Sequence, residues 1–227
     1  MDIKQKLYWL MHAGITSFCA EQPSCTHKES PSADDTPASQ QATNIACKAK
    51  DLASLNADKQ DFSLSSLKKT ASHTILGQGP STPRLMCIME MPDTESDRSG
   101  QTLIGSQHEQ LSKMMGAIHL DLSKDVYVTY LSPWRTPGNR PLTESERSLF
   151  LPFLEREIEL VQPKVILLFG AGVANELLGT NSLAKARGQW HKWQTTPVRV
   201  TLALNTLKTT PLRRQAWEDL QEVEKFL

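Results

Sequence analysis

What this chain lacks narrows its roles before any motif is considered. It has only four cysteines, Cys19, Cys25, Cys47 and Cys87, and no two of them form a close CxxC pair. In a chain of 227 residues without a secretory signal, that pattern reads as reduced thiols rather than a disulfide framework. It has no net charge, because 25 Lys and Arg balance 25 Asp and Glu. No global field therefore draws it to nucleic acid or to an acidic membrane, and any such binding has to come from a local basic patch. No apolar run approaches the roughly 18–20 residues that cross a bilayer. Leu7 to Ala20, behind Lys4 and Lys6, imitates a targeting segment, but Tyr8, His12 and Thr16 interrupt it. Phe18-Cys19-Ala20 is also a poor small-residue cleavage site. The segment reads as a short amphipathic helix, and a cytoplasmic location is expected.

What is present suffices for one α/β domain with a real core plus accessory segments. Residues 1–20 are expected to form an amino-terminal helix. Residues 21–43, rich in Ser, Thr, Pro, Gln and Asp, read as a flexible linker because they have too little apolar surface to offset ordering. The domain proper is expected over 44–227, with a helix from Asn44 to Asn56 and an ordered core from about Arg84. Arg84 to Met89 is a short apolar run, Val126 to Tyr130 is β-branched and aromatic, Lys164 to Phe169 is continuously apolar, and Val198, Val200 and Leu202 alternate; each predicts a strand. Cys87, inside the first of these, reads as a buried small hydrophobe. Capping boxes at Ser106/Glu109 and Thr143/Glu146 open helices, the first running to about Ile118. Gly170 opens another, and Thr210-Pro211 starts the last. The alternation predicts a three-layer α/β/α sandwich with a central four-stranded parallel sheet. Its ligand edge, at the carboxyl ends of the strands, comprises Glu90 to Gly105, Leu131 to Leu142, the loop near Arg187, and Ala203 to Thr210.

Several short segments stand on or near that edge. They are Met89-Glu90-Met91-Pro92-Asp93, Gly100-Gln101-Thr102-Leu103-Ile104-Gly105, the run from Arg135 to Thr143 (Arg-Thr-Pro-Gly-Asn-Arg-Pro-Leu-Thr), Ala186-Arg187-Gly188-Gln189-Trp190 and Trp217-Glu218-Asp219-Leu220. In this order they resemble the uracil-DNA glycosylase superfamily, specifically the iron–sulfur branch called family 4. Leu7 to Leu10, Ala13-Gly14 and Leu67 to Ala71 resemble that family's alphaproteobacterial variant. The resemblance implies base-excision DNA repair: a nucleotide flipped into a pocket, a water aimed at the sugar carbon, and donors aimed at the departing base. In the family an acidic residue within a Gly-Glu-Ala-Pro-Gly segment serves the water and a Phe stacks on uracil. An Asn reads the uracil amide edge, and a His before a Pro donates to the leaving base.

On that resemblance Glu90 retains the acidic, catalytic position, and most other positions are degenerate. Met89, Met91 and Asp93 replace small or absent side chains. Leu103 stands where the stacking Phe is expected and has no aromatic face. Tyr130 stands where Asn is expected, and a phenol cannot offer an amide's paired donor and acceptor. Ala203, followed by Leu204, stands where His-Pro is expected; the missing donor alone implies a loss of roughly 100–1,000-fold in rate. Ser65, Trp134 and Phe150 fall on cysteine-ligand positions, so the iron–sulfur cluster is expected to be lost and no cofactor or metal is expected. Trp134 is usual in the variant. His108, His119 and His191 do not replace the missing histidine by spacing.

Arg135, Arg140, Lys185, Arg187, Lys208, Arg213 and Arg214 lie on or beside the edge, either as phosphate contacts or as ordinary solvated charges. The resemblance thus implies a catalytically impaired glycosylase-like monomer with weak, phosphate-based DNA affinity through Arg140, Arg187 and Gly188, and no membrane association. The alternatives are an active glycosylase of shifted base specificity that uses Glu90, and an interaction scaffold whose protein partner is met by the amino-terminal helix.

Overall fold

The computed structural model describes residues 37–180 and 182–227; the expected helix over 1–20 and the linker up to residue 36 lie outside the described residues. Five strands, β1 (Leu85–Met89), β2 (Val126–Tyr130), β3 (Val165–Phe169), β4 (Trp190–Trp193) and β5 (Thr196–Thr201), form one sheet in the order β2-β1-β3-β5-β4. β1, β2, β3 and β5 pair in parallel, as four of the sequence's runs predict, and β4 adds an antiparallel edge. β4 escaped the sequence reading because Trp190-His191-Lys192-Trp193 lacks β-branched residues and is only half-buried.

Strand side chains alternate between two cores. Met86, Ile88, Ile166, Leu168, Val198 and Val200 face one; Leu85, Cys87, Val165, Leu167 and Phe169 face the other. Helices cover both faces, giving an α/β sandwich. On the first face lie α1 (Pro37–Lys48), α2 (Leu52–Asp61), α5 (Glu144–Val161) and α6 (Ala171–Leu178). The second face packs α4 (Gly105–Gly116) and α8 (Thr210–Phe226). Short helices α3 (Thr94–Ser99) and α7 (Leu183–Ala186) lie in the strand-end loops. None of the described helices is long and apolar enough to cross a membrane.

Three sequence expectations shift. α1 starts at Pro37, so the last part of the expected linker is helical, and a separate α2 follows behind a capping box of Asp51 and Ser54. The core also begins well before Arg84, since Ala42, Ala46, Leu55, Phe62 and Leu67 are buried in it. Small side chains at Ala42 and Ala46, one helical turn apart, let α1 approach closely without an apolar signature in the sequence. Finally, the Ser106/Glu109 box does not form. The chain enters α4 two residues earlier, with Ile104 at the cap and no side-chain cap bond, and the helix ends at Gly116. The Thr143/Glu146 box forms as predicted.

Candidate functional site

Chain direction fixes where a ligand can sit. From β1 the chain crosses to β2 on one side; from β2 it returns to β3 on the other, so the loops part between the carboxyl ends of β1 and β3. Glu90, the first residue after β1, lies in that crevice. Its carboxylate rests on the first turn of α6: a Cβ on Gly172 would lie 2.5–2.9 Å from the Glu90 carboxylate atoms, so a larger residue there would push the carboxylate aside. Gly170 caps α6 without a side-chain bond, and a carboxylate near a helix amino terminus is favoured there. Arg147 of α5 approaches Glu90 Oε1 at 4.0 Å and Glu176 at 3.3 Å. Burial pushes the Glu176 carboxyl up, while the Ser148 hydroxyl and Arg147 pull it back. Glu90 Oε1 itself is buried and makes no hydrogen bond. Arg147 and Gly172 were invisible as site residues in the sequence; only the topology brings them to Glu90.

Around this crevice lie the positions at which the resemblance expects a base pocket. Met89, Leu103, Tyr130, Leu202 and Leu204 belong to one buried cluster. Tyr130 ends β2, and its ring is 3% exposed. Its hydroxyl lies beside Ser96 and the Leu103 main chain, and burial pushes the phenol up to about 12. Neither the Tyr130 hydroxyl nor Ser96 Oγ finds a hydrogen-bond partner in the protein. Leu103 is held at φ 51° between two left-handed glycines, Gly100 (φ 73°) and Gly105 (φ 57°). A buried leucine in that conformation carries about 1–2 kcal/mol of strain. Met91 packs under the turn after β2, its sulfur accepting from Thr136 Oγ1 at 3.3 Å. Ala203 follows β5, against Gly170: a Cβ on that glycine would be 3.2 Å from the Ala203 Cβ. Buried Thr201, at the end of β5, likewise has an unpartnered hydroxyl. His108 lines a groove with Thr102, Leu103 and Leu122 along the β2 edge. His119 faces Glu224 at 3.7 Å, and His191 bonds the Ala186 carbonyl at 2.8 Å.

The three inferred cluster positions lie on the opposite, α5-covered face of the sheet, and two of them touch. Trp134 and Phe150 meet edge to face at 5.5 Å between centroids, Phe62 stacks on Trp134 at 6.5 Å, and Phe153 meets Phe62 at 5.1 Å. Ser65 is buried and caps the 3-10 turn Ser66–Lys69 by accepting from the Leu67 amide. A capping hydroxyl, an indole and a phenyl ring supply no thiolate, so these residues do not fit an iron–sulfur group. Cys87 is buried in β1, and burial raises its thiol, while Cys47 is exposed on α1. Among the described residues no three His, Cys, Asp or Glu side chains gather where they could hold a metal ion.

The basic residues expected to meet phosphate divide sharply. Arg140 is held by both oxygens of Glu146, at 2.8 and 2.6 Å, closing the turn onto the α5 cap. Arg187 donates to Asp219 at 2.9 Å and to Gln215 at 2.8 and 2.9 Å, tying its loop to α8; Arg199 holds the other Asp219 oxygen at 3.1 Å. Gly188, at φ 77°, supplies the left-handed turn beside that clamp. Arg135 bonds Asn139 at 2.6 Å and faces Asp97 at 3.7 Å. These arginines brace the loops.

An α/β sandwich whose motif positions converge on the strand-end crevice is the architecture that the sequence resemblance implies. Residues 76–221 match the model of the uracil DNA glycosylase superfamily, and the chain belongs to that superfamily. Among curated relatives, a type-4 uracil-DNA glycosylase of Saccharolobus solfataricus is 28% identical over 172 residues, 71% of this chain and 79% of the relative. One from Thermotoga maritima is 25% identical over 162 residues, 69% and 84% of the two chains. One from Sulfurisphaera tokodaii is 29% identical over 129 residues, 54% and 58% of the two.

Proposed function

We propose that this protein is a uracil-DNA glycosylase-like member of base-excision DNA repair whose hydrolytic step is impaired and whose affinity for DNA is retained. The observation that carries this reading is the burial of Tyr130 against Ser96 and the Leu103 main chain. The phenol stands where the resemblance expects a base-reading amide, and it offers a departing base no paired donor and acceptor. Glu90 stays in the crevice, held between Arg147 and the α6 amino terminus, but a water-orienting carboxylate without a donor at position 203 leaves charge growing on the leaving base unmet. Released uracil from single- and double-stranded oligonucleotides, measured in single turnover at high protein concentration, tests the reading. Wild type is expected to be slow by at least about 100-fold relative to a protein with the donor in place. Tyr130→Asn combined with Ala203→His is expected to gain more than the two single changes predict, because both act on one departing base. Wild-type turnover in the ordinary enzyme range of about 1–1,000 per second would overturn the proposal.

A second reading, a glycosylase of shifted base specificity, is favoured by one observation. Glu90 Oε1, Ser96 Oγ, the Tyr130 hydroxyl and Thr201 Oγ1 are all buried at this edge without a hydrogen bond from the protein, and such atoms are normally satisfied. A ligand with complementary donors and acceptors would satisfy them. Release of one modified base, but not uracil, from a panel of damaged oligonucleotides would select this reading.

A further inference from the structure

Once the arginines that brace loops are set aside, the strand-end edge keeps a smaller basic group on α8 and the turn before it. Lys208, Arg213 and Arg214 are exposed and have no acidic partner among the described residues. Arg213 is anchored through Nε to the Leu207 carbonyl at 3.0 Å, which steadies the side chain without neutralising it. Trp217 follows Arg213 by four residues and Arg214 by three, so the three share one face of α8. It is 38% exposed, whereas Trp134 and Trp193 are buried. Phe226, the other large exposed ring among the described residues, rests on Trp190 at 4.8 Å; Trp217 has no aromatic partner there. Thr209 caps α8 without a side-chain bond, and the amides of a 17-residue helix carry partial positive charge at that end. The turn that carries Lys208 starts at Ala203, at the rim of the crevice.

We propose that the first half of α8, with the turn Ala203–Thr209, is the nucleic-acid platform of this protein and that its occupant is single-stranded DNA. Trp217 stacks on an unpaired base, and Lys208, Arg213, Arg214 and the helix amino terminus hold the flanking phosphates. A flat indole edge beside cations selects a single strand, because a duplex keeps its base faces stacked on one another. The proposal rests on the retained DNA affinity argued above and assigns it to side chains other than Arg140 and Arg187, the second of which braces this same stretch of α8 through Gln215.

The test is fluorescence anisotropy of a labelled oligothymidylate and of a hairpin duplex of equal nucleotide count, titrated with the full chain at several salt concentrations. Intrinsic tryptophan fluorescence is followed in parallel. Trp217→Ala is expected to weaken single-strand binding about tenfold and to leave the weaker duplex binding unchanged, while Trp217→Phe recovers most of the loss. Arg213→Ala with Arg214→Ala should lower the slope of log affinity against log salt by about 1.4, two contacts at about 0.7 each, and Arg140→Ala should leave it unchanged. Thermal melts check folding, and these exposed positions are expected to leave them unaltered. Salt-dependent wild-type binding that neither set of variants alters would overturn this surface and leave the retained affinity standing. No wild-type binding to either probe at low salt would overturn the retained affinity itself.

Discussion

The same family resemblance has come apart in two ways in two regions of this molecule. At Ser65, Trp134 and Phe150, where the resemblance expects ligand chemistry, the side chains form a packed core. The rings interlock, Trp134 Nε1 donates to Thr74 Oγ1 at 3.0 Å, and Ser65 caps a turn. At the strand-end crevice the expected reading groups have also changed, but the result is not a finished core. Four buried polar atoms lack partners there, and Leu103 sits in a left-handed conformation. Strain and unsatisfied groups persist only where the surrounding structure enforces them, and they concentrate at sites that bind or react. The first region has become scaffold. The second still has the physical character of a site.

The sharpest way to break this comparison is to remove a member of the filled region. Trp134→Ala is expected to cost about 3–5 kcal/mol in urea unfolding, since the ring is 1% exposed and joins α5 to the segment after α2. A loss below about 1 kcal/mol would mean that the rings fill space without binding the layers together. Beside them Lys59 of α2 meets Glu157 of α5 at 2.7 Å, both side chains buried, with Thr129 completing the network at 2.9 Å. Lys59→Ala leaves Glu157 charged in the core and should also cost about 3–5 kcal/mol. Anaerobically purified protein is expected to hold no stoichiometric iron or sulfide, and finding them would show that other thiols take the ligand role.

Two tyrosines on β2 sharpen the contrast at smaller amplitude. Tyr127 faces the α5 side and donates to Glu157 Oε1 at 2.9 Å; Tyr130 faces the other way, and its hydroxyl has no partner. Tyr127→Phe removes a bond to a charged acceptor and should cost about 1.5–3 kcal/mol. Tyr130→Phe removes a buried hydroxyl that has Ser96 and the Leu103 main chain as neighbours but no well-formed hydrogen bond, so chemical denaturation should find the change close to neutral. If both changes cost the same, the Tyr130 hydroxyl is satisfied in solution and the crevice is a finished core after all.

The legible part of this molecule in its sequence follows from which interactions are local. β1, β2, β3 and β5 announce themselves as apolar or alternating runs, and Thr143 with Glu146 as a cap three residues apart. α1 does not, because Ala42 and Ala46 pack through smallness. At the candidate site, Glu90, Leu103, Tyr130 and Ala203 are expected from ordered motifs, and the fold brings them to one edge. Arg147 and Gly172 had no signal, since each acquires its meaning only when β3 returns beside β1. Arg140 and Arg187 show the converse: a basic residue in a loop motif says nothing of its partner, and Glu146 and Asp219 claim these two. Arg187→Ala would leave one Asp219 oxygen unpaired at a position 1% exposed, at a cost of about 1–3 kcal/mol.

Arg140 gives the smallest effect, and its pH dependence separates a brace from a ligand contact. Hydrogen bonds from Arg140, and then from the Thr143 amide and hydroxyl, hold the Glu146 carboxyl down to about 2 from its ordinary 4.5. Because the folded value is the lower one, the contribution to stability is complete above the unfolded pKa near 4.5 and disappears as pH falls through 2. Glu146 accounts for the brace on one side, and the Arg140 guanidinium remains solvent-facing on the other, so solvent screens the pair and its contribution is small. Arg140→Ala should therefore lower the urea midpoint slightly at pH 7, and the difference from wild type should vanish below pH 2. Added salt should shrink it at every pH. A deficit that persists unchanged into acid would mean that Arg140 stabilises the turn through its packing rather than through Glu146. The brace would then be steric, and its guanidinium would again be available to a phosphate.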